Sequence, residues 1–184
     1  MNRNKLLENL KHFFLQKKEG AVAVEFALIA PVIIFIWIGI VEFSEWHLIN
    51  RKLTTATYTA ADLIAQEIEI TNAKIDDYIE AIKAIIGPGL VESDLGFDIS
   101  SIIRNDDGDL VIDWQRSSNF SSTGSIPSVV ETLVSTSDSV IVVRTSYLHR
   151  RRLAFPVPGL PDTIEVLESA FARPRTGTRV LLVD

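Results

Sequence analysis

Hydrophobic residues are packed most densely between positions 21 and 41, which read AVAVEFALIAPVIIFIWIGIV with Glu25 as the one charge. As a helix these residues extend about 31 Å, at ~1.5 Å per residue. That matches a bilayer hydrocarbon core of roughly 30 Å. Phe26–Val41 alone holds 16 uncharged, largely apolar residues in a row. The pattern predicts a membrane-spanning helix rather than a core helix. A signal segment removed by general signal peptidase needs small residues at the exit. Here the run leaves into Glu42-Phe43-Ser44-Glu45-Trp46.

Beyond the run the apolar positions change period. Leu48, Leu53, Ala56, Ala60, Leu63, Ile64, Glu67 and Ile68 mark a mostly apolar helical stripe, so the first helix is expected to continue to about residue 68. Thr71 or Asn72 can cap a second helix, 73–86, with Ile75, Ile79, Ile82 and Ile86 on one face. Gly87-Pro88-Gly89 stops it. Phe97–Arg104 and Leu110–Arg116 flank Asn105-Asp106-Asp107-Gly108-Asp109, a hairpin pattern. Residues 117–125 read as a polar loop, 127–134 as a short helix, and Ser139–Leu148 and Thr163–Phe171 as strands. The expected fold is α+β: a long N-terminal helix packed on a small antiparallel sheet with short extra helices. The expected divisions are a basic leader (1–20), a transmembrane helix (21–41), its continuation outside the membrane (42–70), and an α+β domain (71–184).

Charge gives the anchor a direction. Residues 1–20 carry a balance of +3 and residues 21–184 a balance of −9, together the net −6. Lys17 and Lys18 precede the apolar run, and Glu42 and Glu45 follow it. Positive flanks stay cytoplasmic, so the N-terminus is expected inside and the body outside. Trp37, Phe43 and Trp46 collect near the exit, as interfacial aromatics do. An acidic body argues against nucleic acid as a partner. The chain has no cysteine, which excludes disulfides, thiolate catalysis and cysteine metal sites.

Other chemistry is sparse. An EF-hand reading of Asp106, Asp107 and Asp109 fails, because Ile103 stands at the first ligand position and Trp114 at the twelfth. Those aspartates read as a turn. Asn119-Phe120-Ser121 is a glycosylation sequon in form only. Arg150-Arg151-Arg152, near Pro156, Pro158 and Pro161, read as a solvated loop, with an acidic partner subunit as the sharper alternative. His12, His47 and His149 belong to no recognisable catalytic constellation. The chain is read as a non-enzyme, with no catalytic residues, cofactor or metal.

Glu25 remains to be explained, because a carboxylate at the centre of a membrane helix costs ~2.5–3.5 kcal/mol on insertion scales. Its position near the cytoplasmic edge lowers that penalty and lets it reach back to headgroups. Its neighbours suggest more. Gly20 lies five residues before it and Phe26 directly after, giving G-A-V-A-V-E-F between a basic head and the apolar run. This resembles the prepilin peptidase site of type IV pilins and pseudopilins. The wider EGAVAVEFALIAPVIIFIWIGIVEFSEW is similar to the N-terminal segment of TadE-like pseudopilins of the tight-adherence (Flp/Tad) pilus system. Gly20, Val24–Leu28, Pro31, Gly39 and Val41-Glu42-Phe43 carry the likeness. Weaker likenesses follow at Ala60–Gln66, Val140–Tyr147 and Ala170–Arg175, the last with a closing Arg-Pro-Arg.

The resemblance implies several roles. The bond between Gly20 and Ala21 is cut by a prepilin peptidase. Gly20 has no side chain, so the backbone can enter a protease cleft closely. Phe26 belongs to the processing motif. Glu25 pairs with the N-terminal amine of a neighbouring subunit and sets axial register. Pro31 can bend the helix by removing a hydrogen bond. The implied protein is a minor pseudopilin that primes or supports pilus assembly. It sits in the bacterial inner membrane, and its partners are the bilayer, the peptidase, other pilin subunits and the Tad machinery. The alternatives are an uncleaved single-pass anchor holding an extracytoplasmic binding or adhesion module, and a body released by another peptidase.

Overall fold

The computed structural model describes residues 18–88, 91–121, 124–135, 138–151 and 161–183. Most of the basic head, Gly89, Arg152, Pro156 and Pro158 lie outside the described residues. The chain divides into two compact units between Glu45 and Trp46.

The first unit contains the start of helix α1 (Lys18–Ala65), which carries Pro31 inside it. Proline lacks an N–H, so the Ala27 carbonyl loses its helical partner there; the helix nevertheless runs on. Apolar side chains are exposed all round this part of the helix, from Phe26 at 67% and Leu28 at 72% to Trp37 at 66%. A helix apolar on every side belongs in an apolar surrounding, a membrane or a bundle.

The second unit is α+β. It begins with the end of α1, where Leu53, Ala56, Thr57, Ala60, Ala61 and Ile64 are buried at helical spacing. Strand β1 (Glu69–Thr71) and helix α2 (Asn72–Ile86) follow. The Thr71 hydroxyl accepts from the Lys74 amide at 3.2 Å, which caps α2. Ile75, Ile79, Ile82 and Ile86 are its buried face, as the sequence predicts. Gly87, at φ 82°, ends it, and Lys52 Nζ of α1 donates to the last carbonyl, Ile86, at 2.8 Å.

After a single 3₁₀ turn, Glu92–Asp94, come β2 (Leu95–Arg104), β3 (Leu110–Ser118), helix α3 (Val130–Leu133), β4 (Ser139–Arg150), β5 (Thr163–Ala172) and β6 (Leu181–Val183). The main sheet has the order β3-β2-β4-β5 and is antiparallel throughout. Strands β1 and β6 form a separate parallel pair. Residues of α1 and α2 share one buried cluster with Leu95, Ile99, Ile141, Val143, Tyr147, Val166 and Ala170. The opposite face buries Ile102, Val140 and Val142 under Val130 and Val134.

Asn105–Asp109 is the expected tight turn: the Asn105 side chain accepts from the Asp109 amide at 2.7 Å, and Gly108 has φ 92°. The first part of the expected polar loop is ordered: Ser117 and Ser118 belong to β3. Asn119, at φ 51°, donates its side-chain amide to the carbonyls of Ser93 and Leu95 at 2.8 and 3.2 Å. This commits the sequon nitrogen to the fold. The Asn119 carbonyl lies so close to Gly96 that a Cβ there would sit 2.1 Å from it. Only glycine fits that crossing.

Two boundaries differ from expectation. Helix α1 ends at Ala65 rather than near residue 68, because the chain turns at Gln66–Ile68 to bring Ile70 into the core beside β6. The short helix within 127–134 is only one turn, Val130–Leu133.

Candidate membrane and assembly site

Gly20 and Ala21 lie in the first turns of α1. Glu25 stands four residues after Ala21, so the two share one helix face a single turn apart. Glu25 is exposed and has no ion pair or hydrogen bond among the described residues. Phe26 projects beside it, 67% exposed. Pro31 follows within the same apolar length, whose hydropathy suits a membrane span and of which none is buried. The five residues singled out by sequence therefore occupy one continuous helical segment. They form no catalytic pocket; what they offer is a surface. Its chemistry is one carboxylate at the margin of an apolar rod.

The second unit joins segments far apart in sequence. The Arg175 amide donates to the Ala65 carbonyl at 2.7 Å, and the Arg175 guanidinium pairs with Asp62. Gln66 Nε2 also donates to Asp62, at 2.9 Å. Helix ends leave carbonyls unsatisfied, and a cation there meets the negative end of the helix dipole. Arg175 serves both needs at the end of α1. Arg173 donates to the Leu133 carbonyl at 2.7 Å, and Trp114 Nε1 donates to the Val180 carbonyl at 2.9 Å. The closing Arg-Pro-Arg and the Ala60–Gln66 segment, noticed separately in the sequence, thus meet as a clamp on the long helix.

Arg150 and Arg151 are not a solvated loop; Arg152 lies outside the described residues. Arg150 Nε and Nη2 grip Asp94 at 2.8 and 2.7 Å. Arg151 is largely buried and pairs with Asp162 at 2.6 Å. The partners lie in the 3₁₀ turn and at the start of β5, a placement no local pattern announces. Sequence reasoning also missed an ion pair under the sheet: Arg144 Nε and Nη2 both reach Asp98 Oδ2, at 3.0 and 2.6 Å. Gln115 holds the other Asp98 oxygen at 2.6 Å, and Arg144 stacks on Phe120 at 5.2 Å.

Two contacts set a pH response: Arg150 on Asp94, and Lys74 and Tyr78 on Glu67, each at 2.7 Å. The hydrogen bonds from Arg150 hold the Asp94 carboxyl below its ordinary range, against a smaller opposing effect of burial. Lys74, then Tyr78, do the same for Glu67. A carboxyl depressed in the folded state stabilises fully above its unfolded pKa, and that stabilisation is lost as pH falls through the folded pKa. The urea midpoint of wild type should therefore exceed that of Arg150→Leu at neutral pH, with the gap closing below the usual carboxylate range near pH ~4. A gap independent of pH would contradict the assignment. Burial, and then Glu67, push the Tyr78 phenol up to about 12.

Residues 20–62 match the family model for TadE-like protein. No curated protein and no solved structure matches the chain.

Proposed function

From a first helix that is TadE-like over residues 20–62, and a chain therefore associated with a Tad pilus, we propose a minor pseudopilin. Its role is structural. A prepilin peptidase cuts after Gly20 on the cytoplasmic side of the inner membrane and leaves the Ala21 amine. Residues 21–41 remain in the bilayer, and the Trp46–Asp184 unit stands on the far side. The apolar helix then packs against other pilin subunits during priming or growth of the fibre, with Glu25 meeting a neighbour's amine.

The observation that carries this reading is the largely exposed apolar first part of α1, which opens on Gly20, Glu25 and Phe26. A solitary anchor has no need of a carboxylate one turn beyond a glycine. A precursor whose new terminus must be paired does. The decisive measurement is the intact mass of the membrane-extracted protein in cells with an active prepilin peptidase. The expected species begins at Ala21. A chain that keeps its first 20 residues there, and whose Gly20→Ala variant still functions, would instead be the uncleaved anchor of a binding module.

A further inference from the structure

A cavity of about 430 Å³ opens between the end of α2, the 3₁₀ turn and the adjoining ends of β2 and β3. That volume lies within the range of small-ligand sites. Its apolar side is Leu95, which is buried, and Phe97, which is half-buried. Its wall at Asn119 is fixed by the fold. The Asn119 side-chain amide spans the Ser93 and Leu95 carbonyls, and its own carbonyl crosses Gly96 with no room for a Cβ. The pocket therefore needs no ligand to form. Its polar groups are mostly acceptors. Both Asn119 amide hydrogens are spent, which leaves Oδ1 to accept. Glu92 is 74% exposed and meets Lys83 Nζ only loosely, at 3.5 Å. Lys83 is drawn instead to Glu80, at 2.7 Å. Two carboxylates thus face one ammonium, a local balance of −1. Ser93 and Ser118 add hydroxyls, which can serve either way.

We propose that this pocket receives the side chain of a lysine or arginine from a partner protein. Such a side chain has an apolar stem and a head that only donates. That is the complement of an apolar floor rimmed by acceptors with an excess of negative charge. The stem lies along Leu95 and Phe97, whose ring also attracts a cation. The head meets Glu92, in competition with Lys83. A carboxylate or phosphate is disfavoured, because it reaches Lys83 only by approaching Glu80 and Glu92 as well. A wholly apolar side chain makes no use of the acceptors. The pocket lies entirely within the Trp46–Asp184 unit, so the proposal does not depend on how the first helix is processed.

The test is a nuclear magnetic resonance titration of the isotope-labelled full chain in an uncharged detergent. The probes are the Nα-acetyl amides of lysine and arginine. The same derivatives of norleucine, which keeps the stem without the head, and of glutamate are the controls. Saturable shifts of the Gly96 amide and the Asn119 side-chain amide are expected with a basic probe and not with either control. Glu92→Gln should weaken binding roughly tenfold, the value of one charge-assisted hydrogen bond. Lys83→Met should tighten it about two- to fivefold, because an exposed internal ion pair no longer competes for Glu92. Ser118→Trp, which fills the pocket, should abolish it. Weaker binding by Lys83→Met, or saturation by the glutamate probe, would overturn the proposal by making this an anion site. Equal binding of norleucine would overturn it by leaving the head no part. So would the absence of any saturable shift from protein with a folded, well-dispersed spectrum.

Discussion

Replacing Arg144 with methionine should destabilise the second unit by about 3–5 kcal/mol, the usual penalty for leaving a buried charge without its partner. Asp98 lies fully buried in β2, and Arg144 is 10% exposed in the strand beside it. Their Cα atoms are direct cross-strand partners. Removing the guanidinium leaves Asp98 with the Gln115 amide alone among the described side-chain contacts, and leaves Phe120 without the group it stacks on. A domain stable by 5–15 kcal/mol loses a large share of that margin. The double variant Asp98→Val, Arg144→Met should recover most of the loss, because an apolar pair of similar size has no charge to desolvate. Urea titration of the full chain in detergent, followed through the fluorescence of buried Trp114, measures both. A double variant as weak as the single would show that the pair stabilises in its own right.

That pair also shows where the sequence falls silent. Ser139–Leu148 announces itself as a strand through its β-branched run, and Arg144 simply interrupts the apolar pattern. Nothing local says that the aspartate opposite is 46 positions earlier. The same limit hid Asp94 from Arg150, and Asp62 from Arg175. Periodicity records which face of an element is buried, not which distant element covers it. The isoleucines of α2 were therefore legible to the residue, and so was the turn at Asn105–Asp109, where Asn and Gly determine the local geometry. Strands β1 and β6 were not. Three residues carry no period, and parallel pairing depends on a segment 112 positions away.

The long apolar helix on which the candidate site lies was legible for the opposite reason. A membrane helix advertises itself by length and composition, without needing a partner elsewhere in the chain. Gly20, Glu25 and Phe26 are read against that background, and among the described residues none of the span is buried. Far along the same element, Arg175 and the β1–β6 pair fix its end at Ala65. The end of the helix is thus tied to the sheet by contacts that do not involve the membrane.

Glu25→Gln separates the two roles given to the start of that helix. The proposed processing depends on the glycine and on the backbone around it, so on that reading the variant should still be cut after Gly20 and should still reside in the membrane. Residence should even become slightly easier, since the amide avoids the charge penalty of ~2.5–3.5 kcal/mol that a carboxylate meets at full depth. Assembly should fail. An amide cannot form an ion pair with a neighbour's new amine, and without that pair nothing favours one axial register of smooth apolar helices over the next. On the proposed reading, anchoring and packing make opposite demands on position 25. A variant that is cut, retained and absent from sheared pili, by immunoblot against wild type, is the expected result. Fibres assembled at wild-type levels would mean that Glu25 only reaches back to the headgroups and that register is set elsewhere on the chain.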